Sequence, residues 1–376
     1  MIDGTVVRSE SSGRRRVTAA LITAWVLVVA MWSAPAHATP PEHAPCCLKV
    51  MTYNMYLGAN LQPLFGVSDP EDLPGIVDGM WAHVQQVDFN LRAVAIARQI
   101  VQAQPDVVGL QELSVFQTAP LSNPGRLTTE YDFLQILLDE LALQGSPYRA
   151  ASVIETFSSS LPSSTEWIRW TDRNAIIVRD DLPPAELTTA NPMGARFATP
   201  LPVRIAGTTI EFTRGWASVD VRFQGAWLRV FDTHFEAFHP LVRQAQVGEL
   251  AALASYSPYP VILAGDINLY PEGQRPMDQP AWDLLTGAGF VDSWLESRSG
   301  LPAYTAGQPD DLNCTLASTL DNTVDFVLHD TDGAVDAVRH SGDIAGEDPG
   351  DCTRTMPPLW PSDHAGVVVR LLIDKP

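Results

Sequence analysis

Positive charge is in short supply in this 376-residue chain: 24 Lys and Arg stand against 44 Asp and Glu, and the formal net charge is -20. An acidic surface repels polyanions at long range, although salt screens the effect beyond roughly 8–10 Å. Broad electrostatic capture of DNA is therefore disfavoured, while local contact at a metal-loaded site is not excluded. Cysteine is scarce too, with only Cys46, Cys47, Cys314 and Cys352. Neither the adjacent pair nor the distant pair has the spacing of a zinc site. The one long apolar run, Ala19 to Met31, is short for a membrane span of ~20 residues. No repeat period is visible, which excludes a solenoid. There is no G-x-x-x-x-G-K-[ST] loop, no G-x-S-x-G elbow and no H-E-x-x-H helix. P-loop, serine-hydrolase and zincin chemistries drop out accordingly.

What is present starts with an address. Arg14-Arg15-Arg16, the apolar run and Ala36-His37-Ala38 form a basic end, a hydrophobic middle and an A-x-A cleavage site. We expect export and cleavage after Ala38, with a single membrane anchor as the rival. Residues 39–47 then form a Pro-rich flexible mature end, and 48–376 one domain. Loss of residues 1–38 removes four Arg and two acids and moves the net charge from -20 to -22. In an oxidising compartment an even cysteine count invites disulfides. Cys314 and Cys352 are the preferred pair, since both lie in loop-like sequence flanking one strand. The state of Cys46 and Cys47 stays open.

Hydrophobic residues make up 45% of the chain, enough for a large core. The pass along it finds many strands and few helices. Strands are expected at Leu48–Asn54, Asp106–Glu112, Asn174–Arg179, Val203–Arg214, Val261–Ala264, Thr323–Leu328 and Gly366–Leu372. Trp216–Phe223 and Ala226–Thr233 alternate around Gln224-Gly225, a hairpin signal. Helices are expected from Asp88 through Gln102, with Arg92 and Arg98 off its apolar face, and over Tyr131–Leu143, Leu241–Ser255 and Trp282–Leu285. Residues 57–80 read as a long loop, and Ser158–Thr171 as a loop or irregular hairpin. The sum is one α+β (mixed α/β) domain with two packed sheets and helices outside.

Five of these stretches are bordered by a side chain suited to metal or phosphate: Asn54, Glu112, His234, Asp266 with Asn268, and Asp363 with His364. In Val261–Tyr270 four apolar residues break at Gly265 and deliver Asp266 and Asn268, two apart and so on one side of extended backbone. An Asx turn is the plain alternative. Asp325 sits inside an otherwise apolar strand, where a lone carboxylate would be costly. A nearby His or cation would relieve it. Oxygen donors without thiolates favour a hard divalent ion, Mg²⁺ first and Mn²⁺ or Ca²⁺ as substitutes. Glu112 plus one or two others would suffice to hold it. Phosphoryl chemistry needs such an ion to offset charge on the non-bridging oxygens. It also needs a base for water, a role open to His364 oriented by Asp325.

Thr52-Tyr53-Asn54, Gly109-Leu110-Gln111-Glu112, Thr233-His234-Phe235-Glu236, Gly265-Asp266-Ile267-Asn268, Val324-Asp325-Phe326 and Ser362-Asp363-His364 occur in that order. The set resembles the endonuclease/exonuclease/phosphatase superfamily, over about residues 48–373. The resemblance implies a four-layer α/β/β/α sandwich of two mostly antiparallel sheets flanked by helices. It implies that Glu112 binds the metal with Asn54 nearby, and that Asp363 completes the metal or phosphate shell. Asp266 and Asn268 would align water and phosphate, His234 would donate to the phosphate, and Asp325 would orient His364. The sequence departs from the family in lacking an Arg before Asp325 and in a longer segment from Gly58 to Val87. Arg173, Asn174 and Arg214 are further candidate phosphate contacts. Together with the acidic charge, this leans toward a small or lipid phosphodiester as substrate. An extracellular nuclease and a non-catalytic binding protein on the same scaffold are the alternatives. We expect a monomer that meets nucleic acid only as substrate, and a membrane surface only transiently if the substrate is a lipid.

Overall fold

The computed structural model describes residues 47–298, 303–315, 317–331 and 335–374. The expected export signal at 1–38, the segment 39–46 and Cys46 lie outside them. Eight strands position the site: β1 (Cys47–Asn54), β2 (Val107–Gln111), β3 (Glu166–Arg179), β4 (Gly215–Phe223), β5 (Ala226–His234), β6 (Val261–Asp266), β7 (Asp325–Asp330) and β8 (Gly366–Ile373). The first sheet runs β8-β1-β2-β3, extended by Val115–Pro120 and Thr128–Asp132 on one side and Val335–Ala337 on the other. The second runs β7-β6-β5-β4, with Phe290–Asp292 and Leu187–Arg196 at its edges. Most pairs are antiparallel. One pair in each sheet is parallel, β1 with β2 and β5 with β6. Those two pairs carry the ends that matter: Asn54 lies opposite Gln111, and His234 opposite Asp266.

Apolar side chains on the facing sides of the sheets pack together, Leu48, Val50, Val107 and Ile176 from the first against Val219, Leu228, Val230 and Ile262 from the second. The outer face of the first sheet is covered by α2 (Phe89–Ala103) and α3 (Phe133–Leu143), preceded by α1 (Leu73–Gln86). The outer face of the second is covered by α4 (Pro240–Ala254) and α5 (Gln279–Gly287). The result is the four-layer α/β/β/α arrangement, because each strand is apolar on both sides and each helix on one. Two glycines allow the close approaches. A Cβ at Gly109 would stand 2.6 Å from Asp232 Oδ1 across the sheets, and one at Gly265 would collide with the Thr233 carbonyl. In the β4–β5 turn, Gln224 and Gly225 both have positive φ (47° and 101°), as a two-residue hairpin requires.

Several local expectations need correction. Residues 57–80 are not a structureless loop: a single turn at Gln62–Phe65 leads into α1, whose Val77, Trp81 and Val84 are buried at helical spacing. Pro74, Gly75 and Gly79 read as breakers, but a Pro within the first turn costs no hydrogen bond. Of the two readings of Ser158–Thr171 the hairpin holds and the loop does not: it lies in a long hairpin of Tyr148–Pro162 with β3, whose register shifts between Ala150 and Ser152 and between Glu155 and Phe157. Asp88 caps α2 as expected, its side chain accepting from Asn90 N, but Arg92 is wholly buried rather than off the packed face. The Cys314–Cys352 disulfide is present, with a Cα–Cα distance of 6.4 Å. No helix among the described residues is long and apolar enough to cross a membrane.

Candidate active site

The strand ends gather at one rim of the paired sheets, around a cleft of about 280 Å³ whose walls include Glu112, Arg214, His234, Asp266, Asn268, Asp363 and His364. Asp266 ends β6. Its Oδ2 accepts from Asn54 Nδ2 (3.0 Å), while His234 Nε2 lies 3.5 Å and His364 Nε2 3.9 Å away. Its Oδ1 accepts from Asn268 N (3.0 Å), closing an Asx turn, and Asn268 takes a left-handed φ of 50°. Asn268 therefore reaches the cleft by that turn and not by strand alternation, so the plain and the functional readings of this stretch coincide. The Asn268 side chain is fixed too, donating from Nδ2 to Phe235 O (3.0 Å).

Glu112 follows β2 with a φ of 57°, a sparsely populated conformation for a residue with a Cβ. Its Oε2 accepts from Leu57 N (2.6 Å), and its Oε1 lies 3.9 Å from His234 Nδ1. Arg214 Nη1 donates to that same Nδ1 (3.0 Å). This fixes the imidazole in the tautomer that carries its proton on Nε2, facing Asp266. Burial, with Arg214 and His364 adding, holds His234 well below the ordinary imidazole range, so it is neutral.

His364 is the opposite case. Its Nδ1 hydrogen-bonds Asp325 Oδ2 (2.8 Å). Burial opposes its charge, but Asp325, Asp363 and Asp266 outweigh that and hold it well above the ordinary range. The Asp325–His364 pair is what the lone acid in an apolar strand required. Ser362 Oγ donates to Asn54 O (2.7 Å), tying the 362–364 turn to the end of β1.

The acids exceed the bases here. Burial, with neighbouring carboxylates adding, lifts both Asp266 and Asp363 to about 7. Asp325 Oδ1 is buried with no hydrogen-bond partner. Oxygen donors crowded and underneutralised in this way fit a hard divalent cation. Donor atoms of Asp266, Asp325 and His364 lie within 4.8 Å of one another. The Asp325–His364 hydrogen bond already occupies two of those three, while Glu112 and Asp363 wall the same cleft as Asp266.

Not every expected residue reaches the cleft. Arg173 is turned away, with Nη2 on Asp132 Oδ1 (2.5 Å) and Nε on Leu113 O (2.9 Å). It braces the segment after Glu112. Asn174, the next residue along the strand, points to the other side and is buried beside Asp232. Neither is a phosphate contact; Arg214 remains. Asn54 is engaged at both ends, since its Oδ1 accepts from Tyr56 N (2.9 Å). It acts on Asp266, not as an open ligand. Asp172, absent from the sequence reading, lies 3.7 Å from Arg214 and is pushed up to about 6 by burial. Only the tertiary contact singles it out.

A family model described as the Endonuclease/Exonuclease/phosphatase family matches residues 51–364. Comparison with curated proteins found no match. Among solved structures, an endonuclease/exonuclease/phosphatase family protein from Bacteroides thetaiotaomicron superposes with a TM-score of 0.55 at 17% identity, over 88% of this chain and 100% of that one. The mannosyl-6-phosphatase of the same species gives 0.52 at 16%, over 87% and 100%. A family protein from Bacteroides vulgatus gives 0.52 at 15%, over 87% and 99%. At such identities these likenesses speak to the fold alone. The family match spans most of the chain and every motif of the cleft: this protein belongs to the endonuclease/exonuclease/phosphatase family, whose members hydrolyse phosphoesters.

Proposed function

We propose that the protein is an exported, divalent-cation-dependent phosphoesterase that hydrolyses a small or lipid phosphodiester. The observation that carries this reading is the meeting of Glu112, Asp266, Asp363, His234 and His364 in one cleft with a single guanidinium, Arg214. Glu112, with Asp363, would hold Mg²⁺; Mn²⁺ and Ca²⁺ suit the same oxygens. When bound, the cation offsets charge on the non-bridging oxygens of the phosphate.

The chain's own groups supply the rest. Asp266, lifted to about 7, is matched to take a proton from water at neutral pH. The water oxygen bonds to phosphorus as the ester P–O bond breaks. His364, protonated and steadied by Asp325, is the proton donor available to the leaving oxygen. This reverses the base role expected for His364. Neutral His234 offers its Nε2–H, and Arg214 its guanidinium, to the phosphate. Asn54 and the Asx turn hold Asp266 in place.

The test is a panel of DNA, RNA, sphingomyelin, phosphatidylinositol phosphates and a chromogenic diester, with and without chelator. We expect cation-dependent turnover of a diester. Glu112→Ala and His364→Ala should each lose on the order of a thousandfold or more in kcat/KM with unchanged far-UV circular dichroism. Wild-type rates in either variant would refute the site. Plasmid degradation lost in chelator would favour the nuclease alternative. Preference for a sugar monoester would favour the activity named for the mannosyl-6-phosphatase that shares the fold. Absence of any turnover would revive the binding-protein reading. Intact mass starting at Thr39 in secreted material would support export.

A further inference from the structure

A second hollow lies beside the cleft. It measures about 60 Å³, and Ser159 is the single polar residue among those that line it. In the same measure one water needs roughly 10–15 Å³ and two to four polar partners. The hollow is several times that size and offers almost none of those partners, so water in it is poorly held. An apolar space of this kind accepts apolar guests. Its walls come from α1, from the long hairpin of Tyr148–Pro162 with β3, and from the short hairpin Leu201–Ile205 with Thr208–Phe212. The first of these lies in the segment by which the chain departs from its family's pattern.

The hollow and the cleft share Leu57, Ala59, Leu61 and Trp170. That doorway is tied to the reacting end. Leu57 donates its N–H to Glu112 Oε2 (2.6 Å), and Trp170 Nε1 donates to Ser114 Oγ (3.0 Å), two residues beyond Glu112. A phosphate held at Glu112 therefore has an apolar space behind it, reached past side chains that also wall the cleft. Asp310 at the cleft's edge adds negative charge, which disfavours a polyanionic remainder of the substrate.

We propose that this hollow seats the apolar substituent of the phosphoester substrate, a short alkyl group. The assignment rests on the phosphoesterase reading for its reacting end. The volume matches a few carbon atoms, not a ring or a long acyl chain. It narrows the substrate class to phosphoesters whose carbon side is compact and apolar.

The experiment uses methyl-, butyl- and phenylphosphonate as probes on Mg²⁺-loaded protein, with affinity read by calorimetry. Each methylene taken from water should tighten binding roughly fourfold, hence about fiftyfold from methyl to butyl. Val77→Phe and Ser159→Leu fill the hollow from two different walls. Either should flatten the series to within about threefold while leaving hydrolysis of a methyl diester unchanged. Ser159 is half-buried and tolerates the larger side chain if position 77 does not. A flat wild-type series, or no binding by any of the three, overturns the inference. Should wild type hydrolyse no ester at all, the phosphoesterase reading fails by itself. A graded series would then still uphold the hollow as an apolar subsite, and a flat one would sink it.

Discussion

Replacing Arg92 by Met tests how the site is held together. The Arg92 guanidinium donates from Nη1 to Met55 O (2.7 Å) and Pro361 O (2.8 Å), from Nη2 to Tyr56 O (3.0 Å) and from Nε to Val87 O (2.9 Å). Met55 and Tyr56 follow Asn54 directly, and Pro361 precedes Ser362-Asp363-His364. One buried cation thus ties the end of β1 to the turn that carries two site residues. Met fills much of the same volume with an apolar, adaptable chain, so the loss is mainly in hydrogen bonding. Bonds to a charged donor contribute about 1.5–3 kcal/mol each. Part of that is offset by burying the guanidinium, whose pKa burial lowers to about 10. Breaking a buried charged network typically costs ~3–5 kcal/mol, and we expect that here, with a fall in Tm on the order of 10 °C. Activity should fall by roughly tenfold or more, because small displacements of reacting groups are costly. Arg92→Lys should restore less than half of the lost stability, since an ammonium cannot present a planar fork to four acceptors. Urea unfolding followed by circular dichroism, alongside kcat/KM on a diester, measures both effects. A variant within about 1 kcal/mol of wild type and fully active would show that the clip fixes nothing.

Asp325→Asn should lower kcat about a hundredfold by releasing His364, and steady-state rates at pH 7 read it directly; an unchanged kcat would mean the pair is idle. Asp232 is buried between the sheets, where burial raises its pKa well above the usual carboxylate range despite its hydrogen bond from Gln111. Its folded form stays protonated, so the stability cost is absent below the unfolded value near 4 and grows as pH climbs above it. Asp232→Asn should therefore be more stable than wild type at pH 7, with the gap closing toward pH 4 in parallel urea titrations; a constant gap contradicts this. Reduction of Cys314–Cys352, which closes a loop with a sequence separation of 38, should cost ~4 kcal/mol, and a reductant-insensitive unfolding midpoint would argue otherwise.

Much of the site could be read one strand at a time. Asn54, Glu112, His234 and Asp266 each stand out because a polar side chain ends an apolar run, and that contrast is local. Asp325 stands out for the same reason inside a strand, and the partner its burial required is His364. Helical periodicity assigns faces by hydrophobicity and so sets Arg92 apart from the apolar face; a buried guanidinium that satisfies four carbonyls breaks that rule. Arg173 and Asn174 miss the cleft for one shared reason. Adjacent positions on a strand point to opposite sides, so one faces Asp132 and the other the space between the sheets, and neither faces the cleft. Nothing in a single segment reveals which side the rim lies on.

The sequence by itself determined the fold class, the succession of the strands around the site along the chain, and Asn54, Glu112, His234, Asp266 and His364 as candidates, because alternation, apolar runs and strand-ending polar groups are written in neighbouring positions. Only the tertiary structure decided which of those groups meet, which imidazole is charged and where the apolar hollow lies. Those depend on distances between segments up to hundreds of residues apart, as from Asn54 to Asp266, and on burial and neighbouring charge, which no local pattern encodes.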